Sequence, residues 1–281
     1  MNRISNLIKL LGSNAKRGTF SAEANTIYIY DVIVGSDVEA EWFGGISPKP
    51  FIDALKGMTG DVHLRINSPG GDVFGANAMA QAMREYKNGQ IVAHVDGIAA
   101  SAASVLAITA AQTVMAPGSL MMIHNAWTMA AGDRHDFLDT ASILEKVDGM
   151  LSQAYAAKSG GNVKAFAVMM DAETWFTPEE AVATGLANSV AEATPSAKAS
   201  SSWDLSAFTN PPKAVATVPT VIRTTTVTET TEVCTEVCTE VETETVEVLS
   251  GDPSMAPEDN NQKEIENRQR RHAARLLETA A

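Results

Sequence analysis

Between residues 26 and 190, short runs of β-branched and aromatic residues alternate with stretches of helical periodicity, and after Glu192 that alternation stops. The material that can close a hydrophobic core is therefore confined to one block of the chain. Strands are expected at 26–34 (TIYIYDVIV), 62–67, 91–95, 113–115 and 120–123. Helices are expected at 47–56, with Pro48 in the first turn, and at 72–86, 99–111, 136–158, 163–170 and 178–185. Strands alternating with helices predict an α/β domain whose sheet is covered by helices. Such folds place their chemistry on the turns at strand ends.

The rest of the chain has a different character. Residues 191–220 form a Pro/Ala/Ser/Thr stretch, and 224–249 are low-complexity, with the near-repeat TEVC-TEVC-TEVE at 231–242. Almost without aromatic residues, this stretch buries too little surface to offset its ordering entropy, and disorder is expected. Residues 258–281 have helix-forming composition and a basic cluster at Arg268, Arg270, Arg271 and Arg275, which predicts a terminal helix. The expected organisation is an N-terminal segment (1–25), one domain (26–190), a low-complexity linker and tail (191–257) and a C-terminal helix (258–281).

Composition narrows the function. Of 281 residues, 45% are hydrophobic, enough for a real core, and the net charge of −13 argues against general nucleic-acid binding, which needs clustered Lys and Arg. No apolar run reaches the ~20 residues of a bilayer span. Lys9 breaks the apolar stretch near the N-terminus and no small-residue cleavage site follows, so a soluble cytoplasmic protein with no membrane partner is expected. Cys234 and Cys238 are the only cysteines; without a second ligand pair neither a zinc site nor a disulfide framework is expected of them.

Four segments carry chemistry-bearing residues. The first, residues 65–71 (RINSPGG), runs a strand into Gly70-Gly71, where backbone N–H groups can approach a developing negative charge at a helix start. In the second, residues 97–104 (GIAASAAS), a serine enters an alanine-rich helix, and the same small residues also suit close helix packing. The third, residues 121–127 (MMIHNAW), sets His124 at the end of an apolar strand, as a structural histidine or as a base. The fourth, residues 171–181 (DAETWFTPEEA), places Asp171 and Glu173 before an aromatic pair; its Thr177 and Glu180 also fit a capping box. His63, His94 and His135 show no such context.

Taken in order, these segments resemble the Clp protease proteolytic-subunit family of serine peptidases. Its N-S-P-G-G motif stands at 67–71, its G-x-A-A-S motif at 97–101, its M-I-H motif at 122–124, and its acid-aromatic-S/T-x-E-E-A segment leading to G-L at 173–186. The resemblance implies a crotonase-like fold of repeated β-β-α units, assembled into a homo-oligomeric ring that acts on protein or peptide substrates without metal or cofactor. It further implies Ser101, not Ser104, as nucleophile, His124 as general base and Glu173 as the acid, with Asp171 as the alternative. Backbone N–H groups of Gly70 or Gly71 and of Ala102 would bind the oxyanion. The sequence departs from the family where Asp is usual at 173, where H-Q-P reads His124-Asn125-Ala126, and in the long tail. Those departures point toward the phage prohead (head maturation) proteases, with capsid or scaffold proteins as partners inside the assembling head in the host cytoplasm. The alternatives are an ATP-dependent Clp-type subunit fed by an unfoldase, a signal-peptide peptidase relative, and an inactive scaffold or binding module.

Overall fold

The computed structural model of the chain describes residues 13–14, 18–192 and 203–211. The run at 224–249, both cysteines and the expected helix at 258–281 lie outside the described residues. Within them the expected α/β class holds. Eight strands, β1 (Thr19–Glu23), β2 (Thr26–Tyr30), β3 (Val62–Ser68), β4 (Ile91–Ala100), β5 (Gln112–Met115), β6 (Leu120–Ile123), β7 (Thr174–Phe176) and β8 (Ser189–Val190), form one sheet. Its order is β1-β2-β3-β4-β5-β8, with β6 paired to β4 and β7 to β6. β1 runs antiparallel to β2, with Thr19 opposite Tyr30, so the domain already begins within the segment assigned to 1–25. From β2 through β5 to β8 the pairing is parallel.

Parallel neighbours need crossovers, and helices supply them. The described helices are α1 (Asp37–Phe43), α2 (Pro48–Lys56), α3 (Val73–Glu85), α4 (Ala102–Thr109), α5 (Arg134–Ser159), α6 (Val163–Asp171) and α7 (Pro178–Thr184). Their ends follow local chemistry. Asp72 caps α3 by accepting from Gly75 N at 2.6 Å, Asp133 and Thr177 close capping boxes on α5 and α7, and Gly160 and Gly185 end those two helices in the left-handed conformation. α1 was not expected; Ser36 caps its start, but its short run of mixed residues carries no helical periodicity.

Along β2 and the first halves of β3 and β4 the sheet is buried on one face. Ile27, Ile29, Leu64, Ile66, Ala93 and Val95 join the main core with Met79, Leu106, Leu151 and Phe166 from the helices. On the opposite face Tyr28, Tyr30, His63, Arg65 and His94 stay partly or fully exposed. There Arg65 Nε donates to Asp96 Oδ2 at 2.8 Å, its Nη2 pairs with Asp96 Oδ1, and Tyr30 Oη donates to Asp96 Oδ2 at 2.6 Å. Burial, then the bond to Asp96, pushes the Tyr30 phenol up to about 12; burial alone does the same for Tyr155, which is hydrogen-bonded with Ser104. Between pH 10, the ordinary tyrosine value, and about 12 the folded chain keeps protons that the unfolded chain has released. Stability is therefore full below pH 10 and falls through that window, by one proton's slope per tyrosine. Tyr30→Phe should remove one of the two slopes, which urea melts at a series of alkaline pH values will read; an unchanged slope would contradict the coupling.

β4 sets up everything that follows. Val92–Val95 pairs with Gln112–Met115, whereas Ile98–Ala100 pairs with Leu120–Met122. Between the two pairings the register against β3 shifts. The strand end expected at 95 and the helix start expected at 99 are therefore corrected: the strand runs on to Ala100, and the helix starts at Ala102. A bulge lets one strand change partners. Gly97 permits it, because a Cβ there would lie 2.7 Å from Asn67 Oδ1.

Candidate active site

Ser101 is the joint between β4 and α4. Its φ of 54° and ψ of −124° are costly for a residue with a side chain, on the order of 1–3 kcal/mol. A strained strand-to-helix turn of this kind lifts a serine Oγ clear of the backbone. Three contacts hold the turn: Ser101 N–H donates to Met122 O at 2.9 Å, and Ser104 N–H and Oγ both donate to Ser101 O, at 2.9 and 2.6 Å. Ser104 itself is fully buried and also hydrogen-bonded with Tyr155 Oη at 2.8 Å. Its hydroxyl is committed to packing and out of reach of a substrate.

β6 lies beside the end of β4 and delivers His124 directly after Ile123. His124 Nε2 stands 2.7 Å from Ser101 Oγ. Two segments 23 residues apart in sequence thus meet at hydrogen-bonding distance, the geometry a nucleophile and its base require.

The loop after β3 closes the third side. Gly70 has φ 89°, and a Cβ there would fall 2.4 Å from Ala100 O and 2.9 Å from Ala102 N, directly against the serine turn. At Gly71 (φ 141°) the added Cβ would meet Ile33 O at 2.0 Å. Gly70 N–H donates to the buried Ser68 Oγ at 3.1 Å, and Ser68 Oγ donates to Asp31 O at 2.6 Å. Ala102 opens α4, where helix geometry leaves an N–H without an intrahelical acceptor. Gly70→Ala should displace the turn, and a shift of order 1 Å costs roughly 10²-fold in rate. Rates measured on the folded variant, checked by its melting curve, test this; a variant as active as the parent would show that the close approach does not matter.

The two candidate carboxylates come to the same place. With His124 they line one cavity of about 480 Å³, which Asn125, Trp127, Leu144 and Phe208 also border. Asp171, at the end of α6, accepts from Asn125 Nδ2 at 2.6 Å. Glu173 sits two residues on with φ 51°, left-handed at a helix end where glycine or asparagine is usual. Its carboxylate accepts Thr209 N–H at 2.7 Å, Asn210 N–H at 2.6 Å and, more loosely, Trp175 Nε1–H at 3.4 Å.

Sequence reading missed two contributors. Asp148, on α5, lines the cavity and accepts Ala126 N–H at 2.7 Å. Burial, and secondarily the charge of Asp171, raise its pKa above the usual carboxylate value. Nothing in the sequence separates it from the other acids of that helix. Residues 203–211, read from composition as linker, instead lie against the site; Trp203 and Phe208, two aromatics among small residues, were the available signal. Among the described residues no cluster of three or more His, Cys, Asp or Glu is placed to hold a metal ion, and no helix is long and apolar enough to cross a membrane.

Comparison with known proteins gives the same direction. The Clp protease family profile matches residues 31–194. The chain is 28% identical over 161 residues to the ATP-dependent Clp protease proteolytic subunit 2 of Cutibacterium acnes, covering 57% of this chain and 76% of that protein. It is 30% identical over 142 residues to the ATP-dependent Clp protease proteolytic subunit of Ligilactobacillus salivarius, covering 50% of this chain and 71% of that one.

Proposed function

From the premise that this chain belongs to the Clp protease family of serine peptidases, we propose that it is a serine endopeptidase whose nucleophile is Ser101 and whose general base is His124. The observation that carries this reading is the 2.7 Å approach of His124 Nε2 to Ser101 Oγ on a strained turn. Ser101 Oγ attacks the scissile carbonyl while its proton passes to His124 Nε2. The oxyanion formed is held by the N–H groups of Ala102 and, because Gly70 N–H already serves Ser68, of Gly71. His124 then gives the proton to the leaving amine, and water repeats the sequence on the acyl-enzyme. Each oxyanion donor is worth about 10²–10³-fold in kcat. Glu173 is the acid that steadies the imidazolium, and Asp171 anchors Asn125 beside it.

The biological role is head maturation in a phage: cleavage of scaffold or capsid proteins by a ring of copies enclosed in the assembling head. The long acidic tail supports this, since it adds a segment that hydrolysis itself does not call for. In this organisation residues 26–190 carry the chemistry, and the tail beyond residue 211 supplies reach and docking through its basic cluster at Arg268, Arg270, Arg271 and Arg275. The second reading, a Clp-type subunit working with an unfoldase, is favoured by the names of the Cutibacterium acnes and Ligilactobacillus salivarius relatives, both ATP-dependent Clp protease proteolytic subunits. Co-expression with the capsid and scaffold proteins separates the two. Shortened capsid or scaffold bands with the parent chain, and full-length bands with Ser101→Ala, are expected for head maturation. Unprocessed bands, combined with degradation of folded proteins only when an ATP-driven unfoldase is added, would move the role to the Clp-type subunit.

A further inference from the structure

Residues 203–210 reach the site from well beyond its last helix, and the contacts of Phe208, Thr209 and Asn210 fall on His124 and Glu173. Phe208 is 7% exposed and packs with Ile98, Ala100 and Met122, the sheet residues that flank the serine turn. Its ring meets His124 edge-on at 5.7 Å and Trp175 at 5.6 Å. Immediately after it, the N–H groups of Thr209 and Asn210 are both donated to the carboxylate of Glu173, and Asn210 Nδ2 donates to Ala172 O at 3.1 Å. At the other end Trp203 Nε1–H donates to Asn67 Oδ1 at 3.0 Å, and the backbone of Asp204 exchanges two hydrogen bonds with the buried Asn14 side chain. A turn closed by Phe208 N–H to Leu205 O at 3.0 Å sets the spacing between these anchors.

This is the pattern of a bound peptide: an aromatic anchor in an apolar pocket, flanked by backbone amides captured by a fixed acceptor. The pocket belongs to the sheet, whereas the peptide belongs to a stretch with linker composition on both sides. The carboxylate assigned as the acid is thus a partner of a segment flanked by linker composition.

We propose that residues 203–210 are an intramolecular ligand of the site, a strap that restrains it through His124 and Glu173, and that its release raises peptidase activity. The proposal rests on the serine-peptidase reading. Docking of the strap and chemistry at Ser101 are coupled equilibria, so whatever pulls the tail away, by cleavage or by binding it elsewhere, switches the site on. The pocket of Ile98, Ala100, Met122 and Trp175 is then a receptor for an aromatic side chain followed by two free backbone N–H groups. A peptide of that kind added in trans would compete for it.

Two measurements on the full-length chain decide this. Hydrogen exchange should find the Thr209 and Asn210 amides protected in the parent and unprotected in Phe208→Ala; amides exposed in the parent would overturn docking. Acylation of Ser101 by a fluorophosphonate should be about tenfold faster in Phe208→Ala, within the ~5–150-fold that coupled sites commonly show. Trp203→Ala, which removes the distal anchor without touching His124, should shift the rate the same way, and carries the test if Phe208→Ala does not fold. Equal or slower acylation in the released variants would overturn the restraint. A protected strap with Ser101 inert in every form would instead defeat the peptidase reading, and the regulation with it.

Discussion

Replacing Ser101 with alanine should lower peptide hydrolysis by roughly 10⁶-fold, the usual cost of removing a triad nucleophile. The fold should be untouched, because the turn is held by bonds to the Ser101 backbone, Ser101 N–H to Met122 O and Ser104 N–H and Oγ to Ser101 O, that alanine at 101 preserves. The positive φ remains costly for alanine as it is for serine, so the variant gains no relief from the exchange. Ser104→Ala should behave in the opposite way. It removes the buried bond with Tyr155 and the hydroxyl's bond to Ser101 O, costing of order 1 kcal/mol of stability for each, and leaves hydrolysis largely intact because Ser104 N–H still donates to Ser101 O at 2.9 Å. Paired rate and melting measurements on the two variants separate the roles. Comparable rate losses would put the division of labour between these serines in error.

The second large effect is expected at Glu173. A carboxylate that steadies the histidine is worth roughly 10⁴-fold in kcat when replaced by its amide. Glu173→Gln also weakens the acceptor for Thr209 and Asn210, and by the strap proposal that change alone raises activity about tenfold. The first effect exceeds the second by about three orders of magnitude, so the net result is a steep fall. Asp171→Asn should cost far less, since the register with the segment WFTPEEA at 175–181 puts the acid at Glu173. Steady-state kinetics on both variants gives the ranking. The reverse order would assign the acid to Asp171, and two small effects would describe a Ser-His dyad.

The residues of the site were legible where the chemistry is local. A serine entering a helix of alanines, a histidine closing a short apolar strand and a double glycine after a strand each occupy one short window, and their order along the chain gave the family. What was not legible depends on contacts across the fold. Asp96-Gly97 looks like a turn in its own window. It becomes mid-strand because β6 offers Ile98–Ala100 a second partner and Asn67 needs the space a side chain at Gly97 would fill. Of the two glycines, Gly70 has its N–H engaged by the Ser68 hydroxyl, which the motif does not reveal. Residues 203–211 were hidden for the same reason. Their composition is that of a linker, and only bonds spanning 136 positions to Asn67 and 190 to Asn14 show that they dock.

The central claim is that Ser101, driven by His124, is the group that attacks substrate. It is tested most directly by labelling the purified full-length chain with a fluorophosphonate and mapping the adduct by peptide mass spectrometry. One adduct is predicted, on Ser101, absent from Ser101→Ala and formed far more slowly in His124→Ala. An adduct on Ser104 or any other serine, or active protein that carries no adduct, would contradict it.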